Sequence, residues 1–136
     1  MIVSEKKERI TESKDIAFIM QKIYAQRQNE DAHKEIFYCI GLNSDNTILY
    51  IDMVAIGTVN QCVPSVRECV RLGLIKNAVS LIVVHNHPSG NVLPSVQDKA
   101  FTQKIKEACA VLDINLLDHI IVTENNSYSF SDNCDL

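Results

Sequence analysis

The chain contains no tryptophan, three prolines and four glycines in 136 residues. So few Pro and Gly leave no Pro/Gly/Ser-rich linker, and no low-complexity tract or internal repeat occurs. Fibrous and wholly disordered designs are excluded, and the length fits one domain. Long apolar runs are missing too. None approaches the ~18 residues of a membrane helix, and the longest, such as Ser80-Leu-Ile-Val-Val84, suit buried strands. The start, Met1-Ile-Val-Ser-Glu-Lys-Lys-Glu8, is charged where a signal peptide is apolar, so a cytoplasmic location without a membrane is expected. Basic excess is absent: 13 Lys+Arg face 17 Asp+Glu, a net charge of −4. Residues 1–35 hold seven basic and seven acidic side chains, and residues 36–136 hold six and ten. A nucleic-acid binder draws most of its non-specific affinity from a basic face, so direct binding to DNA or RNA by this chain alone is not expected. No CxxC occurs among the five cysteines, Cys39, Cys62, Cys69, Cys109 and Cys134. They read as reduced, mostly buried thiols, with no spacing for a cysteine zinc site.

What is present is a regular alternation of helical and strand patterns. Residues 1–10 read as a charged, loose arm, and 11–136 as one domain. Ser13 is placed to cap a helix with Ile16, Ile19, Met20 and Ile23 on one face. Ile36–Leu42 and Thr47–Ile56 form a hairpin around Asn43-Ser-Asp-Asn46, both strands apolar enough to be buried on two faces. A second helix starts near Ser65 with Val66, Cys69, Val70, Gly73 and Leu74 inward. Leu81–His85 is a short buried strand. A third helix runs from about Ser95 to Val111, with Phe101, Ile105, Ala108 and Leu112 inward. Leu117–Thr123 and Ser127–Phe130 close the chain as a hairpin. This order predicts an α/β domain, a mixed β-sheet flanked by helices.

One segment carries chemistry: His85-Asn-His-Pro-Ser-Gly-Asn-Val-Leu-Pro-Ser-Val-Gln-Asp98. Strand side chains alternate, so His85 and His87 project to one side at the strand's end. Pro88 and Gly90 turn the chain away, and Ser95 and Asp98 share a face of the next helix's first turn. If that turn folds back, two imidazoles and one carboxylate can grip a divalent ion. Three protein ligands with a fourth position left for water are the open arrangement of catalytic zinc. The alternative for Ser95 and Asp98 is a capping box with no metal. His119, in an apolar strand, reads as a core histidine with satisfied hydrogen bonds, or else as a partner behind the ligands. His33 reads as solvated, and Asp52, in a buried strand, needs a partner.

The string His85-Asn-His-Pro-Ser-Gly…Pro-Ser-x-x-Asp98 resembles the JAMM motif of JAB/MPN+ metalloproteins, in its bacterial RadC form. The likeness runs from about Ile10 to Phe130 and includes Gly57-Thr-Val-Asn60, Arg67-Glu68 and Leu116-Leu-Asp-His-Ile-Ile121. It implies a cytidine-deaminase-like JAB/MPN fold, a Zn2+ cofactor and hydrolysis of a peptide or isopeptide amide in a peptide or protein substrate. In that scheme His85, His87 and Asp98 are the metal ligands and Ser95 the oxyanion donor. Glu35, followed by an apolar strand, is the general base, with Glu68 as its rival. The chain departs from the family in two places. No N-terminal helix-hairpin-helix region is present in these residues, and Ser65-Val66 stands where the family usually has His-Pro.

Two other functions compete with the hydrolase. One is a DNA repair or recombination accessory, against which the acidic balance counts. The other is a non-catalytic MPN interaction module, against which the intact ligand set counts. Deaminase chemistry lacks its His-x-Glu and Pro-Cys-x-x-Cys residues. A homo-oligomer is left open.

Overall fold

A computed structural model describes residues 8–27, 33–57 and 64–136. Its elements run α1 (Ser13–Gln26), β1 (Glu35–Leu42), β2 (Ile48–Gly57), α2 (Val66–Ile75), β3 (Ser80–Asn86), α3 (Val96–Val111), β4 (Asn115–Val122) and β5 (Ser127–Ser129). The expected order of helices and strands is the observed one. The five strands form one mixed sheet in the order β2-β1-β3-β4-β5. Only β3 and β4 are parallel, joined by the α3 crossover; the other pairs are antiparallel.

Alternation along the strands sorts two cores. Ile36, Tyr38, Ile40, Ile82, Val84, Ile120 and Val122 face α1, where they meet Ile16 and Met20. Phe37, Cys39, Leu81, Val83 and Leu116 face the other way, against Cys69 and Val70 of α2 and Phe101, Ile105 and Cys109 of α3. The three cysteines on this side are buried free thiols, and Cys134 is an exposed one. Cys62 and residues 58–60 lie outside the described residues. No helix of the described chain is long and apolar enough to cross a membrane.

Local departures from the sequence reading have local causes. Ser13 does not cap α1. The residue before it, Glu12, holds the N-cap position, and the Asp15 carboxylate accepts from the Thr11 and Glu12 N–H groups at 2.9 and 3.2 Å. The Ser13 hydroxyl instead donates to Asp132. Leu74 is 50% exposed, because Cys69, Val70 and Gly73 already fill the buried stripe of α2. Leu112 is 39% exposed: it is the C-cap residue, past the last turn that Cys109 anchors. β2 is an edge strand, and its second half, Val54–Gly57, is not fully buried as β1 is.

The N-terminal segment is tied to the first hairpin. The Ile10 N–H donates to the Asn46 carbonyl at 2.9 Å, and the Ile48 N–H to that of Glu8. Asn46 turns this hairpin at φ 63°, a backbone state that Asn tolerates.

Candidate metal centre

The centre lies where β3, the middle strand, runs out beside the start of β1 and the first turn of α3. Phe37 on β1 pairs with His85 on β3. Glu35, two residues before Phe37, faces the same side of β1, near enough to His87 to feel its charge. Asn86, between the two histidines, points the other way and holds the junction. Its side-chain oxygen accepts from the Ile36 N–H at 2.7 Å, and its amide donates to the Lys34 carbonyl at 3.0 Å.

His85 and His87 converge with their Nε2 atoms 3.0 Å apart. Asp98 closes the triangle, Oδ1 lying 3.2 Å from His85 Nε2 and Oδ2 3.2 Å from His87 Nε2. The ligating atoms of the three residues all fall within 4.8 Å of one another. Capping and convergence on the histidines turn out to be compatible roles. Ser95 Oγ accepts from the Asp98 N–H at 3.0 Å, and the Ser95 N–H donates to Asp98 Oδ2 at 2.9 Å, a reciprocal capping box. The same box aims the carboxylate at the histidines.

Proton positions decide whether this triangle fits a cation. A carbonyl oxygen only accepts. His87 Nδ1, 2.6 Å from the Asn91 carbonyl, therefore carries a proton, so the neutral ring has its lone pair on Nε2. His85 Nδ1 is engaged by His119 Nε2 at 2.8 Å. With both rings neutral and their outer nitrogens protonated, the inward atoms are two imidazole lone pairs and the carboxylate oxygens, a donor set for a cation between them. Two imidazole nitrogens and one carboxylate oxygen suit zinc. The residues fit the ion.

Electrostatics agree with a shielded cluster. Burial pushes the His85 imidazole below its ordinary range, against the pull of Asp98. His87 is held above it: burial opposes, but Asp98, the Asn91 carbonyl and Glu35 prevail. The Asp98 carboxyl stays well below the usual carboxylate range despite its burial, because both histidines and the Ser95 N–H stabilise its charge.

Glu35 is half-buried at the mouth. Burial raises its carboxyl, the neighbouring His87 lowers it, and Asp98 raises it again. It lines one cavity of about 640 Å3 with Phe37, His87, Ser95, Asp98 and Phe101. His33 is exposed, as expected, and stands at the rim of the same cavity. Glu68 does not line it. Its carboxylate lies 3.9 Å from Arg71 Nε in a surface pair on α2, and its N–H donates to the capping Ser65 hydroxyl.

His119 is both things its sequence context allowed. It is a buried, fully bonded core histidine, and its partners are His85 and the Thr102 hydroxyl. Phe130 stacks on it, centroids 4.6 Å apart. Asp118 secures that wall by accepting from the Ser129 hydroxyl and from the N–H groups of His119 and Ser131. Asn86, Asn91, Thr102 and Phe130 were missed from sequence. Thr102 alone left a trace there: it is one turn beyond Asp98, a polar residue on the apolar face of α3.

A family model of the RadC-like JAB domain matches residues 10–135. The chain is similar to UPF0758 proteins. It is 42% identical over 118 residues to that of Streptococcus sanguinis, an alignment covering 85% of this chain and 52% of the relative. With that of Flavobacterium johnsoniae it shares 40% over 127 residues, covering 93% and 53%. With that of Coxiella burnetii it shares 40% over 112 residues, covering 82% and 49%. The chain spans about half the length of the curated relatives it matches. With its mixed sheet and its His-His-Asp triangle in place, the chain belongs to the RadC-like JAB domain family.

Proposed function

We propose that this domain is a zinc-dependent hydrolase of the JAMM type, cleaving an amide in a peptide or isopeptide substrate. The observation that carries the reading is that Glu35 and Ser95 line one cavity together with His87 and Asp98. His85, His87 and Asp98 would hold the ion. A bound zinc supplies Lewis acidity, polarising an amide carbonyl and bringing the pKa of a water towards about 7.

The remaining work falls to the chain's own groups. The Glu35 carboxylate takes the proton of the attacking water and later delivers it to the leaving amine nitrogen. Its partial burial suits the task, since a carboxylate raised towards neutrality is a better base at physiological pH. Ser95 Oγ uses a lone pair for the Asp98 N–H, and its own proton is free to steady the substrate oxyanion. Phe37, Leu93 and Phe101 give the cavity apolar walls for side chains flanking the scissile bond.

No observation here favours the DNA accessory or the non-catalytic module over this reading. The test is to load the full chain with zinc and challenge it with a broad peptide and isopeptide library. Wild-type protein should cleave some member, and Glu35→Gln should keep its zinc while losing roughly 10²–10⁴-fold in rate. A zinc-loaded wild type that cleaves nothing, or an unimpaired Glu35→Gln, would overturn the reading.

A further inference from the structure

Behind His85, on the side away from the cavity, three buried side chains form a hydrogen-bonded line. The Thr102 hydroxyl lies 2.7 Å from the Asp98 carbonyl oxygen and 2.6 Å from His119 Nδ1. His119 Nε2 lies 2.8 Å from His85 Nδ1. Thr102 is 3% exposed, and both histidines 0%.

The direction of the line follows from its end. A carbonyl cannot donate, so the Thr102 proton points to Asp98, and the contact with His119 Nδ1 is filled by the ring's own N–H. His119 carries a single proton: Phe130 stacks on it, Phe101 meets it edge-on, and no carboxylate among the described residues is hydrogen-bonded to its ring. Its Nε2 is therefore an acceptor and takes the Nδ1–H of His85. His85 Nε2 is left as a lone pair facing His87 and Asp98. Asp98 acts twice, its carboxylate at the front of the cluster and its backbone carbonyl at the start of this line.

We propose that Thr102 and His119 are positioning residues that fix His85 in its Nδ1–H tautomer and so present the Nε2 lone pair to a divalent cation. The inference deepens the hydrolase reading and rests on its assignment of His85 as a ligand. Without the Thr102 hydroxyl, the His119 Nδ1–H has no acceptor in a dry site. Moving that proton to Nε2 makes His119 a donor towards His85 and drives the His85 proton onto Nε2, where the ion belongs.

The test compares Thr102→Val, which keeps shape and removes the hydroxyl, with Thr102→Ser, which keeps the hydroxyl. Zn2+ affinity is read by chelator competition on the full chain. Imidazole nitrogen NMR of the metal-free protein at mildly alkaline pH reads the tautomers. Thr102→Val should lose about 10–100-fold in Zn2+ affinity and Thr102→Ser should stay near wild type. The wild-type spectrum should show His85 protonated at Nδ1, and that of Thr102→Val at Nε2.

A wild-type His85 protonated at Nε2 overturns the proposal, as does a Thr102→Val protein with unchanged tautomer and affinity. Should Thr102→Val fail to fold, the wild-type spectrum and Thr102→Ser still decide. The spectrum needs neither metal nor substrate, so a failed cleavage assay bears on the hydrolase reading and not on the relay.

Discussion

The ring of Phe37 lies parallel to that of His85, centroids 4.4 Å apart and planes 9° apart. The two are cross-strand partners on β1 and β3, both buried. One flat wall thus fixes the plane in which His85 can turn, while His119 fixes its proton.

Replacing that wall should loosen the ligand before it unfolds the protein. Phe37→Leu removes a ring pair worth about 0.5–1.5 kcal/mol beyond burial and leaves a small void, a total cost of about 1–3 kcal/mol. Zn2+ affinity should fall several-fold in parallel. Denaturant titration and chelator competition measure the two effects. An affinity equal to wild type would mean that the stack has no orienting part.

Asp98 allows helix capping and ligation to be separated. Asp98→Asn keeps an oxygen for the Ser95 N–H and discards the charge, so the helix start should be kept while bound zinc is lost. Asp98→Ala should lose the zinc and also about 1 kcal/mol from the helix start. Metal content after dialysis against a chelator and thermal melting of the metal-free forms report on each. Stoichiometric zinc on Asp98→Asn would remove the carboxylate from the ligand set.

The His-His-Asp cluster was legible because it is local. His85 and His87 obey strand alternation, and Asp98 sits in the first turn of the helix that follows, so spacing alone brings them near one another. Of their supports only His119 was flagged, as one of two alternatives. Phe37, His119 and Phe130 reach the site through sheet pairing between segments distant in sequence, which periodicity does not encode. The same limit explains Leu74 and Leu112: a helical stripe predicts a face, but neighbouring elements decide how wide it is. Ser13 failed as a cap because the helix starts one residue earlier, with Glu12 at the N-cap and its N–H held by Asp15.

Beneath β1, Tyr50 supplies a test of packing unconnected with the metal. It pairs with Gly41 across the β1–β2 ladder, and a Cβ at Gly41 would run into its ring. Gly41→Ala should cost at least about 1–3 kcal/mol by overpacking. The Tyr50 hydroxyl is buried with no hydrogen-bond partner among the described residues. Tyr50→Phe should therefore be neutral or stabilising in chemical denaturation. A loss above about 1 kcal/mol would reveal a partner for that hydroxyl.

The parallel pairing of β3 with β4 also sets an order of events. Parallel strands meet only after the intervening crossover has formed, a late and slow closure. His85, His87 and Asp98 are all available before it, whereas His119 arrives with β4. The His-His-Asp triangle is therefore local to one stretch of chain, and closure of the parallel pair is what brings the His119 ring against His85.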